Sequence, residues 1–364
     1  MNTKTKSLCL LCLLVACSRC YSQNVATALQ KHTIASGPAK DTSPESDVVA
    51  SAVQDAADAL IVVVGASGKP EYRDEFNEWA TQWESLAKRQ RWPLEMIRSD
   101  PDLEATPKSR LEAAINRFSS NPRIWIVLLG HGTYSAGKAK FNLPGPDITS
   151  KEMAAWLKDV SGQVIAINCS SSSSPFISDL GAAGRIVVTA TRSGNEVNFS
   201  RFGRFIANAV NDLSVDIDHD KEVSLLEAFL AATAQTERFY EEDARLTTEH
   251  ALLDDNGDRA GISADFYRGI RPVKKPANGG QIDGSNAARV ILMTSPDNPV
   301  FSEELNQERL KIESQIDSLR NSRPTMIESE YLNRLEKLML LMSDVYDKAE
   351  ESSKEKSHQT DSQE

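Results

Sequence analysis

The sequence predicts an α/β fold in which a mostly parallel sheet carries helices on both faces and is followed by a C-terminal α-helical hairpin. In the middle of the chain, unbroken apolar runs alternate with segments of helical periodicity, which is typical of parallel strands buried on both sides. Beyond residue 286, apolar residues recur at heptad-like spacing on either side of Arg323-Pro324. This second pattern predicts two helices that pair with each other.

The individual elements follow from the same two patterns. Apolar runs bounded by turn residues predict strands, and apolar residues three or four positions apart predict helices. The predicted strands are 60–64, 94–97, 124–130, 164–168, 185–190 and 290–293, and the predicted helices are 76–87, 111–118, 150–158, 202–210 and 225–240.

Composition divides the chain into five parts. Residues 1–22 resemble an export signal, 23–57 form a polar linker, and 58–285 form the α/β domain. Residues 286–349 supply an extended segment and the helical hairpin or coiled coil, and 350–364 are predicted to be a disordered tail. The hairpin either packs on itself and the main domain or mediates self-association as a coiled coil.

The N-terminal segment predicts an exported protein. Lys4 and Lys6 precede a short apolar stretch, residues 8–16, which is too short to span a bilayer. Leu14-Val15-Ala16-Cys17 resembles a lipobox, which would place a lipid anchor on Cys17, whereas ordinary cleavage near Ser22 would release a free protein. We therefore expect a location in the periplasm, at the cell envelope or outside the cell. The net charge of −11 argues against a nucleic-acid partner.

One cysteine remains beyond residue 20. Cys169 ends one apolar run, and His131-Gly132 ends another. Because active sites of α/β folds gather at strand ends, the two residues predict a thiol nucleophile with its acid/base partner. The backbone N–H groups of Gly132 and Cys169 are candidate oxyanion donors. A buried, unreactive thiol is the alternative.

An apolar strand ending in His-Gly, followed about forty residues later by one ending in Cys, resembles the caspase-like fold of clan CD cysteine peptidases. Within that clan, the sequence around 64–73 and 190–199 is most similar to the legumain and GPI-transamidase family, in a bacterial secreted form. The resemblance implies that Glu71 orients His131 and that the S1 substrate pocket contains the residues Arg73, Glu196 and Asn198.

The sequence also departs from that family. Legumains carry Glu two residues before the Cys and directly after it, where this chain has Ile167 and Ser170. Asp74 replaces the pocket His. These differences argue against strict cleavage after Asn. The five serines 170–174 predict either a polar, mobile wall of the substrate cleft, with Ser170 contacting substrate, or a plain flexible loop.

A second motif predicts a calcium loop. Acidic residues between 216 and 227 match the spacing of an EF-hand loop that continues into a helix. Lys221 stands where the loop requires Gly, so we expect a left-handed backbone there. An acidic helix N-terminus is the equal alternative, and residues 254–258 are interpreted as an Asx-rich turn. The predicted metal ligands are Asp216, Asp218, Asp220, Glu222 and Glu227.

The sequence thus predicts an exported cysteine endopeptidase that acts on protein or peptide substrates, with no cofactor required for catalysis. Water or an amine could resolve the acyl-enzyme, giving hydrolysis or transpeptidation. The alternatives are a catalytically silent, calcium-responsive scaffold that assembles through its hairpin, and a self-processing zymogen.

Overall fold

The structure is a computed structural model that describes residues 57–100, 102–276 and 280–360. The predicted signal segment, Cys17 and all of the linker except residue 57 lie outside the described residues. In chain order the elements are β1 (Ala59–Val64), α1 (Pro70–Gln90), β2 (Leu94–Ile97), α2 (Pro107–Phe118), β3 (Arg123–Leu129), β4 (Gly132–Ser135), β5 (Lys138–Phe141), β6 (Ile148–Thr149), α3 (Ser150–Trp156), β7 (Gln163–Asn168), α4 (Pro175–Leu180), β8 (Arg185–Thr189), α5 (Phe202–Ala209), β9 (Glu222–Ser224), α6 (Leu225–Glu242), β10 (Leu252–Asp254), β11 (Tyr267–Arg268), β12 (Arg271–Pro272), β13 (Ile291–Thr294), α7 (Glu303–Ser322) and α8 (Glu328–Thr360).

The central sheet has six strands in the order β10-β8-β7-β3-β1-β2. The five strands from β2 to β8 are mutually parallel. At one edge, β10 runs antiparallel to β8. The predicted mostly parallel sheet is therefore confirmed, and the five parallel strands are five of the apolar runs identified in the sequence.

Helices cover both faces of this sheet. All six residues of β1 are buried, which requires packing on both sides because successive side chains of a strand point to opposite faces. On β3, Trp125 and Val127 join a core cluster with residues of α1, α5 and α6. On the same strand, Ile126 and Leu128 join a second cluster with residues of α2, α3 and α4.

A small antiparallel sheet follows β3 that the sequence did not predict. β4, β5 and β6 form it, and β4 starts at Gly132, directly after His131. The His131 carbonyl oxygen accepts a hydrogen bond of 3.0 Å from the Asn142 N–H, just after β5. The backbone of His131 is thus fixed between the central sheet and this small sheet.

The C-terminal helices form the predicted hairpin. α7 and α8 pack through Ile312, Ile316 and Val345. Phe301, just before α7, stacks edge-on against Tyr346 in α8, which places the helices antiparallel. α8 continues to Thr360, so helix extends past residue 350, where the sequence predicted a disordered tail. None of the described helices has the length and apolar character needed to cross a membrane.

A buried ion pair ties this hairpin to the α/β domain. Arg309 in α7 donates to Glu222 in β9 at 2.6 Å, and both side chains are less than one-tenth exposed. The second oxygen of Glu222 accepts from the Asn298 side-chain amide at 3.3 Å. Next to this pair, β13 adds to β9 as an antiparallel neighbour.

Candidate functional site

The two strands that carry His131 and Cys169 lie side by side. β3 and β7 are parallel, and their register pairs Leu128 with Asn168. Both candidate residues therefore follow adjacent strand ends at the same edge of the sheet. This is the placement that a nucleophile and its base require.

The Cys169 side chain is nevertheless part of the core. Its exposed fraction is 0%, and it belongs to the same apolar cluster as Ile167 and Ile165, two and four positions earlier in the chain. Helix α5 covers it closely, because a Cβ placed on Gly203 would lie 2.9 Å from the Cys169 Cβ and 2.7 Å from the Trp79 ring. A substrate carbonyl has no access to this thiol in the structure.

Electrostatics also disfavour a thiolate at Cys169. Burial raises the pKa of the thiol far above its ordinary value, and the negative charge of Glu249 raises it further. Glu249 is itself buried and accepts hydrogen bonds from the Ser200 hydroxyl and the Arg201 N–H. Reactive cysteines need the opposite surroundings, a nearby positive charge and partial exposure.

His131 lies in an aromatic cage rather than in an ion pair. Its ring is edge-on to Tyr72 and Phe76, with centroids 5.0 and 5.4 Å away, and 5.5 Å from Phe199. The Nε2 atom donates to the Ser67 carbonyl oxygen at 3.2 Å when it carries the proton. Burial lowers the pKa of the ring, partly offset by the Ser67 hydrogen bond, so the neutral form is favoured.

Glu71 and Arg73 do not take the roles that the resemblance implied. Both are exposed on the first turn of α1. Arg73 pairs with Asp74 at 3.1 Å, with both side chains mostly in solvent. Tyr72, between them, is the residue that contacts His131. Neighbouring helical residues point in different directions, so the residue of this stretch that faces His131 is Tyr72 and not Glu71.

Both candidate oxyanion donors are already engaged. The Cys169 N–H donates to the Leu128 carbonyl oxygen at 2.9 Å. The Gly132 N–H donates to the Ser171 Oγ at 3.3 Å, and the Ser171 hydroxyl lies 3.1 Å from the Gly132 carbonyl oxygen. Glycine is required at 132, since a Cβ there would lie 2.2 Å from the Ser171 carbonyl oxygen and 2.6 Å from the Ser170 Oγ.

The serine run is neither a mobile wall nor a flexible loop. Ser170 to Ser173 are each at most 3% exposed. Ser170 donates to the Asn168 Oδ1 from its hydroxyl at 2.6 Å and from its N–H at 3.0 Å. Ser173 pairs with Thr191. The Asn168 Nδ2 and the Ser172 Oγ are the polar atoms of this turn that lack a partner among the described residues.

Of the other two predicted pocket residues, Glu196 contacts this turn, because its carbonyl oxygen accepts from the Ser172 N–H at 2.8 Å. Glu196 accepts from the His250 Nδ1 at 2.7 Å and pairs with Arg192 at 3.3 Å. Asn198 is exposed. The ring of Phe199, the next residue, contacts His131 instead. Glu196 does not neutralise Arg73, because its partners are His250 and Arg192.

The predicted calcium loop is partly assembled. Asp216, Asp218 and Glu227 each offer a carboxylate oxygen, and these oxygens lie within 4.8 Å of one another. Lys221 adopts the expected left-handed backbone, with φ of 70°. Glu222 forms an ion pair with Arg309 and does not join these oxygens.

The remaining predicted ligand, Asp220, is used within the loop. Its carboxylate accepts from the Glu222 N–H at 2.8 Å. Burial, followed by the charges of neighbouring acidic residues, raises its pKa to about 7. Asp220 is also absent from the group of converging oxygens, so the structure leaves three of the five predicted ligands in place.

No protein-family model matches this chain, and no curated protein does. Similar solved structures include the Drosophila initiator caspase Dronc, at 13% identity and a TM-score of 0.36, covering 65% of this chain and 98% of that one. Caspase-1 from Spodoptera frugiperda shares 8% identity at a TM-score of 0.35, covering 56% and 87%. A Geobacter sulfurreducens protein shares 9% identity at a TM-score of 0.37, covering 62% of this chain and 98% of that one.

Two of these structures are caspases. No family model and no curated protein supports the legumain resemblance. At these identities and TM-scores the similarities assign neither a family nor an activity to this chain.

Proposed function

We propose that this protein is a catalytically silent, caspase-like scaffold in which Cys169 is a structural core residue. The observation that carries the proposal is the complete burial of the Cys169 side chain beneath α5 and Trp79. The engaged N–H groups of Gly132 and Cys169 support it, since neither is free to hold an oxyanion. The domain would act by binding a protein or peptide rather than by cleaving one.

Thiol reactivity tests this proposal directly. The full-length protein is treated with iodoacetamide, folded and in denaturant, and modification of the Cys169 peptide is read by mass spectrometry. We expect no modification in the folded state and complete modification in denaturant. His131→Ala should leave the folded thiol unreactive.

A cysteine endopeptidase, with or without transpeptidase activity, is the second candidate. The adjacent ends of β3 and β7 favour it, because they bring His131 and Cys169 to one sheet edge. This candidate requires Cys169 to react in the folded protein with iodoacetamide or a peptidyl acyloxymethylketone, and to lose that reactivity in His131→Ala. Such a result would overturn the scaffold proposal.

We propose that the scaffold assembles through α8. Its outer surface leaves Leu332, Met339, Leu340 and Leu341 about half exposed or more, although the helix already packs against α7. Light scattering on the full chain should report an oligomer that Leu340→Glu dissociates. Ser343→Glu, at an exposed polar position of the same helix, is the matched control. A monomeric wild type would reject this part of the proposal.

Export is a further part of the proposal and rests on residues 1–22. Cell fractionation and N-terminal mass spectrometry test it. A lipid-modified Cys17 at the new N-terminus indicates anchoring, and a start near residue 23 indicates release. An intact Met1 in the cytoplasm contradicts export.

A further inference from the structure

A second acidic cluster lies where the sequence predicted only an Asx-rich turn. Asp254 ends β10, Asp258 lies in the turn that follows, and Asp283 arrives from the segment leading to β13. Each offers one carboxylate oxygen, and the three oxygens lie within 4.8 Å of one another. Oxygens bound to one Ca²⁺ at 2.3–2.6 Å are separated by at most about 5 Å, so the spacing fits a shared cation.

Two of the three carboxylates in this cluster are buried, unlike those of an ordinary surface turn. Asp254 is 0% exposed and Asp283 is 2% exposed, and the adjacent Asp255 is 4% exposed. Within the described ranges, no Lys, Arg or His forms an ion pair with any of these carboxylates or with Asp258. The nearest candidate, Arg259, directs its Nε to the Gly181 carbonyl oxygen at 2.9 Å. Buried negative charge of this kind calls for a positive partner.

Asp283 carries the most specific sign of a missing ligand. Its Oδ1 accepts from the Asp255 and Asn256 N–H groups at 2.9 and 3.1 Å. Its Oδ2 is fully buried, and no N–H group or hydroxyl among the described residues donates to it; the Asp255 side chain contacts the Asp283 carboxyl and can share a hydrogen bond with it only if one of the two is protonated. An unpartnered carboxylate oxygen is among the costliest groups to bury. The group therefore points to a ligand that is not a protein donor.

We propose that Asp254, Asp258 and Asp283 bind a divalent cation, with Ca²⁺ as the best match. Three carboxylate oxygens with one side open to solvent at Asp258 suit the flexible oxygen coordination of Ca²⁺ better than the strict octahedron of Mg²⁺. The cation would join the edge strand β10 to the segment that leads into β13 and the C-terminal hairpin. This inference does not depend on whether Cys169 is catalytic.

A shared proton is the alternative to a cation. Burial and the charges of Asp255 and Asp254 raise the pKa of Asp283 to about 8, so a protonated carboxyl could serve near neutral pH. The two explanations differ in what stabilises the folded chain. A cation stabilises the folded chain more as its concentration rises at fixed pH, following the logarithm of one plus the ratio of its concentration to Kd, whereas a proton does so only as the pH falls.

The test measures the thermal unfolding midpoint of the full chain at pH 7.5, first in EGTA and then in increasing CaCl₂, with MgCl₂ as the comparison ion. We expect Ca²⁺ to raise the midpoint and Mg²⁺ to raise it less. Asp283→Asn and Asp258→Asn should each abolish the Ca²⁺-dependent shift. Asp258 is exposed, so its variant should fold even if Asp283→Asn does not.

The loop at Asp216 supplies the matched control. Asp218→Asn should keep the Ca²⁺-dependent shift, because it alters the other acidic loop. Loss of the shift in Asp218→Asn together with its retention in Asp283→Asn and Asp258→Asn would assign calcium to that loop and overturn the proposal. If the wild-type unfolding midpoint does not change with Ca²⁺ but rises when the pH is lowered, the shared proton is favoured and the cation proposal is also overturned.

Discussion

The sheet edge at His131 and the acidic cluster at Asp283 differ in how their polar groups are satisfied. At the sheet edge, the residue types suggest chemistry, yet the Gly132 and Cys169 N–H groups and the Ser170 hydroxyl have partners inside the protein. At the acidic cluster, the residue types suggest an ordinary turn, yet the Asp283 Oδ2 is buried without a donor. Because the Asn168 Nδ2 and Ser172 Oγ at the sheet edge also lack partners, the two regions differ in the charge of the unpartnered group, which is a carboxylate oxygen at the acidic cluster and a neutral polar atom at the sheet edge.

The largest expected effect concerns a buried carboxylate that does have a partner. Arg309→Leu would leave Glu222 buried without its cation. We expect a loss of about 3–5 kcal/mol in the free energy of unfolding, measured by urea denaturation. Arg334→Leu, which breaks an exposed i,i+4 pair with Glu330, should cost at most about 0.5 kcal/mol. Equal losses in the free energy of unfolding would show that burial does not determine how strongly a carboxylate ion pair stabilises this protein.

The second prediction concerns the unpaired carboxylate of Asp283, whose removal should stabilise the folded protein instead of destabilising it. At pH 9.5 in EGTA, well above the raised pKa of Asp283, Asp283→Asn should raise the free energy of unfolding by about 1–3 kcal/mol because it removes an unpartnered buried charge. Asp216→Asn, whose two carboxylate oxygens accept from the His219 and Lys221 N–H groups, should lower it. Destabilisation by Asp283→Asn under these conditions would contradict the comparison.

Much of the fold could be predicted from the sequence because it depends on hydrophobic periodicity. Parallel strands buried on both faces leave continuous apolar runs, and those runs gave β1, β3, β7 and β8. The strand β10 and the sheet β4-β5-β6 escaped prediction. They consist of two to four residues each, and such short strands are specified by their neighbours more than by their own pattern.

The site was less predictable because it depends on which way single side chains point. Strand alternation was available as a signal: Ile165, Ile167 and Cys169 are spaced by two and share one buried face. The cage residue Tyr72 required knowing that α1 begins at Pro70. Asp283 lies close to Asp254 although 28 residues separate them in the sequence, and no local pattern encodes that contact.

The third prediction separates a structural thiol from a catalytic one. Cys169→Ala should cost about 1–2 kcal/mol of unfolding free energy for lost packing. Cys169→Ser should cost more, by about 1 kcal/mol or more, because it buries a hydroxyl in an apolar cluster. Urea denaturation measures both. Full stability of Cys169→Ser would indicate that the side chain reaches a polar or solvated site after all.

The smallest expected effect is at His131, where the ring serves as one member of an aromatic cage. His131→Phe loses the 3.2 Å hydrogen bond to the Ser67 carbonyl oxygen and keeps the ring contacts with Tyr72, Phe76 and Phe199. We expect the free energy of unfolding at pH 7.5 to change by about 1 kcal/mol or less.

The pH profile of the same variant adds a sharper readout. Because burial lowers the pKa of His131 below its ordinary 6.5, the stability that the neutral ring contributes is complete above about pH 6.5 and declines as the pH falls below it. The His131→Phe variant lacks this titration, so its stability should fall less than that of the wild type between pH 7 and 5.5. Parallel profiles would mean that His131 is as easily protonated in the folded protein as in the unfolded chain. That outcome would indicate that His131 is solvated and exchanges protons at the sheet edge, and it would therefore favour catalysis.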